Sequence, residues 1–399
     1  MTRNIRIFLI TEGILSACRG FIFPIYVLYF RVFNVSLFGV ALLAAIFEVT
    51  VLVAEIPTGL FADRFGRKRS VIIGFAFFAL SGAVFTFFRH LEGFILGEIL
   101  FGLAEAFISG AGEALAVDSI PPAERDGILP RLFTLRSRIR IGLTSLFMVM
   151  AGVIFYLDAR LTFHPVFFGG VAGVIASLFF VADHHHGPGL AWVDFFAPIK
   201  LMFRRLKAVE LLRTIFVISL VANFSFEGAD QYWQVLAGEY DRFPVAYFGI
   251  ITAVGAFLAF LLVGPTVRRF SGTLALPALI LLVTGVAIST MPNVPALALA
   301  VLLVIYFMGR ELITPLFSIA INRAIESEGR ATFLSAYNMT CSVGEVAAGL
   351  IVGVIASSLG IPVVFVVCGG VLVVYVVITL FTSGSLLERP GPNRLRHSQ

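Results

Sequence analysis

The sequence Gly59-Leu-Phe-Ala-Asp-Arg-Phe-Gly-Arg-Lys-Arg69 lies between two long apolar segments and decides how the rest of the chain is interpreted. Its five charged residues stand in a connection far too short to be a domain: Asp63, Arg64, Arg67, Lys68 and Arg69. A basic cluster between apolar segments marks the cytoplasmic side of a membrane protein. A carboxylate at the end of a helix opposes the helix dipole unless a cation or another helix N-terminus neutralises it. The stretch therefore predicts a charged connection that holds helices together at one membrane face.

The composition is that of an integral membrane protein. Hydrophobic residues make up 59% of the 399 residues and charged residues only 13%. The mean hydropathy is +0.99. Soluble domains contain roughly 45–50% apolar and about 25% charged residues. Because a spanning helix needs about 20 residues, the chain has room for about a dozen spans and for no sizeable soluble domain.

Apolar segments separated by proline, glycine or charge predict twelve membrane spans. The predicted ranges are 5–31, 36–62, 70–89, 92–117, 129–157, 162–182, 209–238, 244–269, 273–291, 295–322, 330–358 and 361–383. The longest polar stretch divides them into two sets of six. We therefore predict an all-α membrane protein with an N-terminal six-helix bundle over 1–182, a cytoplasmic linker over 183–208, and a C-terminal six-helix bundle over 209–399 that ends in a short cytoplasmic tail.

The distribution of lysine and arginine predicts the orientation in the membrane. With a cytoplasmic N-terminus, twenty basic residues fall on the cytoplasmic side and four on the outside, namely Arg31, Arg89, Arg160 and Arg242. The positive-inside rule then places both termini in the cytoplasm, and we expect the plasma (inner) membrane as the location. The sequence pI near 9.3 reflects this topology, so we expect no nucleic-acid partner.

The sequence offers little for enzymatic or metal chemistry. Cys18, Cys341 and Cys368 lie singly in apolar segments without CxxC spacing and are predicted to be small buried residues. The tract His184-His185-His186 cannot easily direct all its rings at one ion, so a solvated loop is the prediction there. No Walker A, G-x-S-x-G or H-E-x-x-H pattern occurs. We expect no enzymatic activity, no cofactor and no metal site.

Two weak internal repeats support the division into halves. The segment Gly59–Phe65 after the second span is echoed by Gly264–Phe270 after the eighth, an offset of 205 residues. Glu12-Gly13 in the first span has a counterpart in Glu227-Gly228 of the seventh. Many secondary transporters are built from such repeats, with the binding site at the repeat interface.

The charged stretch Gly59–Arg69 resembles the loop 2–3 motif of the major facilitator superfamily, roughly G-x-x-x-D-R-x-G-R-K/R. The twelve spans and the repeat extend this resemblance over the whole chain. Three further segments resemble the multidrug and tetracycline/macrolide efflux branch: Ala54–Gly59, Ser109–Asp118 and Phe226–Trp233. The resemblance implies a secondary transporter of two pseudo-symmetric six-helix bundles, the major facilitator fold.

The resemblance also implies a cytoplasmic charge network that stabilises the outward-facing state. Its members would be Asp63, Arg67 and Asp118, with Asp63 also facing the N-terminus of the eleventh span near Arg330. The fifth span departs from the drug-antiporter pattern G-x(3)-G-P-x(2)-G-G. It offers two glycines, Gly142 and Gly152, and carries three arginines in its cytoplasmic half, Arg136, Arg138 and Arg140.

Ionisable residues inside the predicted spans are the candidate site. Each costs at least about 2.5–3.5 kcal/mol at mid-bilayer on insertion scales, so it normally faces a protein interior or water. The candidates for substrate and proton binding lie on spans 1, 4, 7 and 10, which line the central cavity in the family that the chain resembles. They are Glu12, Arg19, Glu105, Glu227, Asp230, Arg310 and Glu311. The alternative is structural pairing between helices, for example of Arg19 with Glu105.

Other intramembrane carboxylates are assigned differently. Glu98 and Glu113 share a helix face with Glu105, at intervals of seven and eight residues. Glu48 on the second span is interpreted as structurally paired. Glu345 lies among glycines that permit close helix contact, and we do not predict it as part of the site.

We expect proton-coupled export of a small hydrophobic or amphipathic molecule by alternating access, with the proton as coupling ion. Tyr232 and Trp233 would form an aromatic wall for such a ligand, or else take part in ordinary helix packing. One alternative function is an uptake symporter or facilitator of an organic anion that Arg19 and Arg310 bind. Another is a membrane sensor or scaffold that transports nothing. The expected partners are the small molecule and the lipid bilayer, with the protein acting as a monomer.

Overall fold

The computed structural model describes residues 2–121, 124–181, 203–204, 206–207, 210–238, 243–269, 274–324 and 330–382. All regular secondary structure in these ranges is helical. Twelve segments within them are long and apolar enough to cross a membrane. The prediction of an all-α membrane protein with twelve spans is therefore confirmed. The histidine tract and most of the linker predicted over 183–208 lie outside the described residues.

The chain forms two compact units. The first comprises Met1–Ala191 together with Phe243–Ala253, a segment that the sequence had assigned to the C-terminal bundle. Its helices are α1 (Arg3–Ile22), α2 (Tyr26–Val32), α3 (Leu37–Phe65), α4 (Arg67–Phe87), α5 (Leu91–Asp118), α6 (Arg125–Leu157) and α7 (His164–Leu178). In this unit α5 packs against both α3 and α4, and α1 packs against α6.

The second unit comprises Trp192–Arg242 and Val254–Gln399. Its described helices are α8 (Glu210–Gly238), the greater part of α9 (Phe248–Arg269), α10 (Ala275–Thr290), α11 (Ala296–Ala324), α12 (Arg330–Leu359) and α13 (Ile361–Thr382). Here α8 packs against α12 and α13, and α10 packs against α11 and α13.

The connection between α3 and α4 consists of a single residue, Gly66. Gly66 has a φ of 103°, in the left-handed region that favours glycine. Its N–H donates to the carbonyl oxygen of Ala62 and so closes the last turn of α3. The charged stretch that the sequence indicated as a connection is thus almost entirely helical, with the glycine as its only turn.

The first membrane span is interrupted. The helix α1 ends at Ile22, a 3₁₀ turn covers Phe23–Ile25, and α2 begins at Tyr26. Pro24 lies inside this turn, where it supplies no backbone N–H for a helical hydrogen bond. Ile25 has φ −134° and ψ 5°, outside the helical region. The sequence predicted one continuous span here, whereas the structure has two helical segments with a break between them.

Gly20 allows α1 and α6 to approach closely. A Cβ atom built at Gly20 would lie 2.6 Å from the backbone oxygen of Thr144 and 2.9 Å from the Cβ of Phe147. Since the nearest obstacle is backbone, we expect Gly20→Ala to push the two helices apart. Overpacking of this kind destabilises by about 1–3 kcal/mol, measured as a lower midpoint of thermal unfolding in detergent.

Gly142→Ala in α6 is the matched control. A Cβ atom there meets nothing within 4 Å, and alanine favours a helix over glycine by about 1 kcal/mol. This variant should unfold at or above the wild-type temperature. Equal unfolding midpoints for Gly20→Ala and Gly142→Ala would contradict the close contact of α1 with α6.

Candidate functional site

In the first unit, Arg19 of α1 and Glu105 of α5 form an ion pair. The Nη2 atom of Arg19 lies 2.6 Å from each carboxylate oxygen of Glu105. The side chains are 41% and 28% exposed, respectively. A charge exposed to lipid this far along a span would be costly. The pairing that the sequence suggested is present, and both side chains are partly exposed.

A second cation, Arg136 of α6, joins two carboxylates from two other helices. Its Nε atom lies 2.9 Å from Oε2 of Glu12 on α1, and its Nη1 atom lies 2.6 Å from Oε2 of Glu113 on α5. Its guanidinium carbon lies 5.3 Å from the ring centroid of Phe8. We call Glu12, Glu113 and Arg136 the three-helix clasp. The sequence predicted Glu12 as a site residue but not Arg136, which is the cation that holds it.

The other two arginines of this helix behave differently. Arg138 and Arg140 are exposed, and neither has a carboxylate partner within the described part of the chain. Of the three arginines in the cytoplasmic half predicted for the fifth span, one therefore pairs with two carboxylates and the other two are exposed.

In the second unit, Asp230 of α8 is held through both of its oxygens. Arg310 of α11 places Nη2 2.8 Å from Oδ2 of Asp230. The hydroxyl of Tyr306 donates to Oδ1 at 2.7 Å. Tyr306 is fully buried, whereas Arg310 is 35% exposed. Tyr306 and Arg310 are four residues apart and so share a face of α11.

Further polar groups lie around this pair. Gln231 donates through Nε2 to Glu227 on the same helix. A Cβ atom at Gly349 of α12 would lie 3.3 Å from Oε1 of Glu227, so α12 packs directly on this bond. Glu311 and Glu345 both interact electrostatically with Arg310. The sequence-based prediction leaves Glu345 out of the site because of its neighbouring glycines, whereas in the structure it interacts electrostatically with Arg310.

The charge network implied by the resemblance is present in part. Arg67, at the start of α4, forms an ion pair with Asp118, at the end of α5. Lys68 donates through Nζ to the carbonyl oxygens of Leu178 and Phe180, each at 2.7 Å. These oxygens close the end of α7, a contact that the sequence did not predict. The side chains of Asp63 and Arg330 lie outside what the structure describes.

The remaining candidates are ordinary core residues. Tyr232 and Trp233 are 0% and 1% exposed, and Trp233 packs edge-on against Phe307 with a centroid distance of 5.5 Å. Helix packing is therefore the better interpretation of this aromatic pair. All three cysteines are buried, as predicted, and none forms a disulfide bond in the described part of the chain. Among the described residues no group of three potential ligands could hold a metal ion.

Comparison with protein families decides which family the chain belongs to. The sequence model of the Major Facilitator Superfamily matches residues 8–348. The chain belongs to the Major Facilitator Superfamily. An uncharacterized MFS-type transporter of Bacillus subtilis, YxaM, is 24% identical over 379 residues, which cover 90% of this chain and 91% of that protein. Multidrug resistance protein 2 of Bacillus subtilis is 32% identical over 106 residues, 27% of this chain and 26% of that protein.

Solved transporter structures align with nearly the whole chain. A POT family transporter in complex with 5-aminolevulinic acid aligns with a TM-score of 0.76 at 12% identity, over 97% of both chains. The nucleoside transporter NupG aligns with a TM-score of 0.72 at 14% identity, over 96% of this chain and 99% of that chain. At these identities the likeness shows the fold alone. The predicted major facilitator fold is thereby confirmed. The family match and the MFS-type relative show that the protein is a membrane transporter.

The arrangement suits a transporter chemically. Each unit contains an arginine whose carboxylate partner comes from another helix and whose side chain stays partly exposed. A proton on the carboxylate removes the charge that holds the arginine. A charged group on a solute competes for the same partner. Either event would weaken a contact between two helices of the same unit.

Proposed function

We propose that this transporter exports a small hydrophobic or amphipathic molecule across the plasma (inner) membrane in exchange for protons, by alternating access. In this proposal both termini are cytoplasmic and the protein works as a monomer. The observation that carries the proposal is the ion pair of Arg19 with Glu105, which is partly exposed and lies within two candidate membrane spans. The partial likeness to a multidrug resistance protein supports export of an amphipathic molecule.

The ion pair supports proton coupling because a carboxylate can hold either an arginine or a proton. When Glu105 takes up a proton, its attraction for Arg19 falls to that of an ordinary hydrogen bond. One proton entering down 100 mV supplies about 2.3 kcal/mol. Since tenfold in concentration corresponds to about 1.4 kcal/mol, this suffices for a gradient of roughly fifty-fold in an uncharged solute.

The pairing also bears on the alternative of organic-anion uptake. Anion binding by Arg19 and Arg310 requires that both guanidinium groups are available. Both are held by carboxylates, Arg19 by Glu105 and Arg310 by Asp230. An anion would therefore have to displace a carboxylate at each position, which favours proton-coupled export over anion uptake.

We expect Glu105→Gln to abolish proton-driven export. Glutamine keeps the shape of the side chain and can still bond to Arg19, but it cannot exchange a proton. The measurement is export of the fluorescent amphipathic dye ethidium from proteoliposomes under an imposed pH gradient. Accumulation should fall to the level of protein-free liposomes, while dye exchange without a gradient persists.

Glu92→Gln is the matched control, because Glu92 is on the same helix but at its exposed start. It should export dye as the wild type does. Proton-driven export that survives Glu105→Gln would contradict the coupling role of Glu105. The alternative function, uptake of an organic anion, would be favoured by two results together. The wild type would take up the anion and export no dye, and Arg19→Gln would lose the anion uptake.

A further inference from the structure

Glu98 of α5 is a carboxylate that the proposed transport site does not use. It is 1% exposed, although it lies seven residues along a membrane-spanning helix, about 10 Å from the start of α5 at 1.5 Å per residue. The hydroxyl of Tyr26 donates to its Oε1 atom at 2.6 Å. The same helix carries Glu105 about 10 Å further along, so Glu98 is separate from the ion pair of Arg19 with Glu105.

Among the residues that the structure describes, the groups that interact with Glu98 are a hydroxyl and a carboxylate, and none is a cation. On α2 the facing group is the Tyr26 hydroxyl, and on α3 it is Glu48, which interacts with Glu98 electrostatically as a like charge. The charged residues of α4 are Arg67, Lys68 and Arg69, all at the far end of that helix. On α1 the cations are Arg19, which is held by Glu105, and Arg3 and Arg6, which lie in the first turn of that helix. Within the described residues Glu98 forms no salt bridge.

Two neighbours of Glu98 pack against aromatic rings. Gly97, the preceding residue, faces the ring of Phe85, and Tyr26 packs edge-on against Phe30 with a centroid distance of 4.9 Å. A carboxylate buried among such groups without a counter-ion is very costly, and such a group neutralises by taking up a proton instead. The Oε1 atom accepts from Tyr26, which leaves Oε2 to carry that proton.

The hydrogen-bond partner of Glu98 lies at the break in the first span. Tyr26 is the first residue of α2, directly after the 3₁₀ turn that contains Pro24. The bond from Tyr26 to Glu98 therefore ties the start of α2 to α5. The backbone at the break lacks helical continuity, so α2 can change its angle to α1 without unfolding either helix.

We propose that Glu98 holds a proton in the resting protein and that its release displaces Tyr26 and with it the short helix Tyr26–Val32. When the O–H bond of the carboxyl breaks, the proton passes to water. The resulting carboxylate stands beside Glu48 and needs hydration. Water reaches it when α2 moves at the break. The place of this step in transport rests on the proposed proton coupling, whereas the proton site itself can be measured without any substrate.

Infrared spectroscopy of the full-length protein in lipid tests the protonation directly. We expect wild-type protein at neutral pH to show the carbonyl band of a protonated carboxylic acid, and Glu98→Gln to lose it. Glu92→Gln is the matched control, since that carboxylate is exposed on the same helix, and it should keep the band. An unchanged band in Glu98→Gln would overturn the proposal.

A second variant keeps the test decisive if Glu98→Gln does not fold. Tyr26→Phe removes the hydroxyl that bonds to Oε1 and leaves the carboxyl in place. The band should then shift to higher frequency, because the carbonyl oxygen has lost a hydrogen bond. An unshifted band would overturn the assignment to Glu98.

Hydrogen exchange tests the movement of α2. After correction for the chemical exchange rate, exchange in 26–32 should rise with pH in the wild type and should lose this pH dependence in Glu98→Gln. Equal pH dependence in both proteins would overturn the role of the break. If the infrared and exchange results hold but dye export needs no proton gradient, the proposed function fails and the proton site stands.

Discussion

Arg136→Gln is expected to lower the stability of the protein more than any other single substitution of an arginine in α6. The substitution leaves Glu12 and Glu113 facing each other without a cation, and it removes the contact with Phe8. Breaking a buried ion pair costs about 3–5 kcal/mol. We expect about 3 kcal/mol, the lower end of that range, because Glu113 is 41% exposed. The midpoint of thermal unfolding in detergent measures the effect.

Two matched controls stand on the same helix. Arg138→Gln and Arg140→Gln also remove a positive charge, but these side chains are exposed and pair with no carboxylate in the described part of the chain. Both should unfold near the wild-type temperature. Neutralising all three residues of the three-helix clasp together, as Glu12→Gln, Glu113→Gln and Arg136→Gln, should recover much of the loss. A drop in Arg138→Gln as large as that in Arg136→Gln would show that total charge, and not the clasp, determines the effect.

Arg310→Gln is expected to abolish transport and to destabilise the second unit by a similar amount. The substitution leaves Asp230, which is only 17% exposed, with the hydroxyl of Tyr306 at 2.7 Å as its hydrogen-bond donor. An uncompensated charge at that position is costly. Export of ethidium from proteoliposomes and thermal unfolding in detergent give the two measurements.

The double variant separates the two effects. In Asp230→Asn with Arg310→Gln the uncompensated charge is gone, so stability should return towards the wild-type value. Transport should stay absent, because neither residue can then exchange a proton or bind a charge. Tyr306→Phe supplies a milder comparison, since it removes one hydrogen bond worth about 1 kcal/mol. Recovery of transport in the double variant would show that the pair only holds helices together.

Much of the fold can be predicted from the sequence. The cost of placing polar groups in lipid strongly limits which segments can span a membrane. Twelve apolar segments of sufficient length are visible without any structure, and the structure has twelve such helices in its described part. The break at Phe23–Ile25 escaped prediction, since the flanking residues are as apolar as a continuous span. Pro24 is the only local signal of that break, and prolines within spanning helices often leave them continuous.

The candidate site was predictable where two charges meet and less so elsewhere. The sequence indicates Arg19 and Glu105 because a charged side chain within a membrane span has a high free-energy cost. Arg136 also lies within a span, at a similar free-energy cost. Its partners Glu12 and Glu113 are on other helices, so only the tertiary structure shows that Arg136 pairs with them. Tyr26 and Tyr306 raise no signal in a hydropathy pattern. Their hydroxyls matter only because folding places each within 2.7 Å of a carboxylate.

The single-residue connection at Gly66 links the movements of α3 and α4. With one residue between α3 and α4 there is no slack, so a tilt of either helix is transmitted to the other. Arg67 passes the displacement on to the end of α5, and Lys68 passes it to the end of α7. The ends of α3, α4, α5 and α7 on one face of the first unit therefore move together. A longer loop at Gly66 would let them move independently.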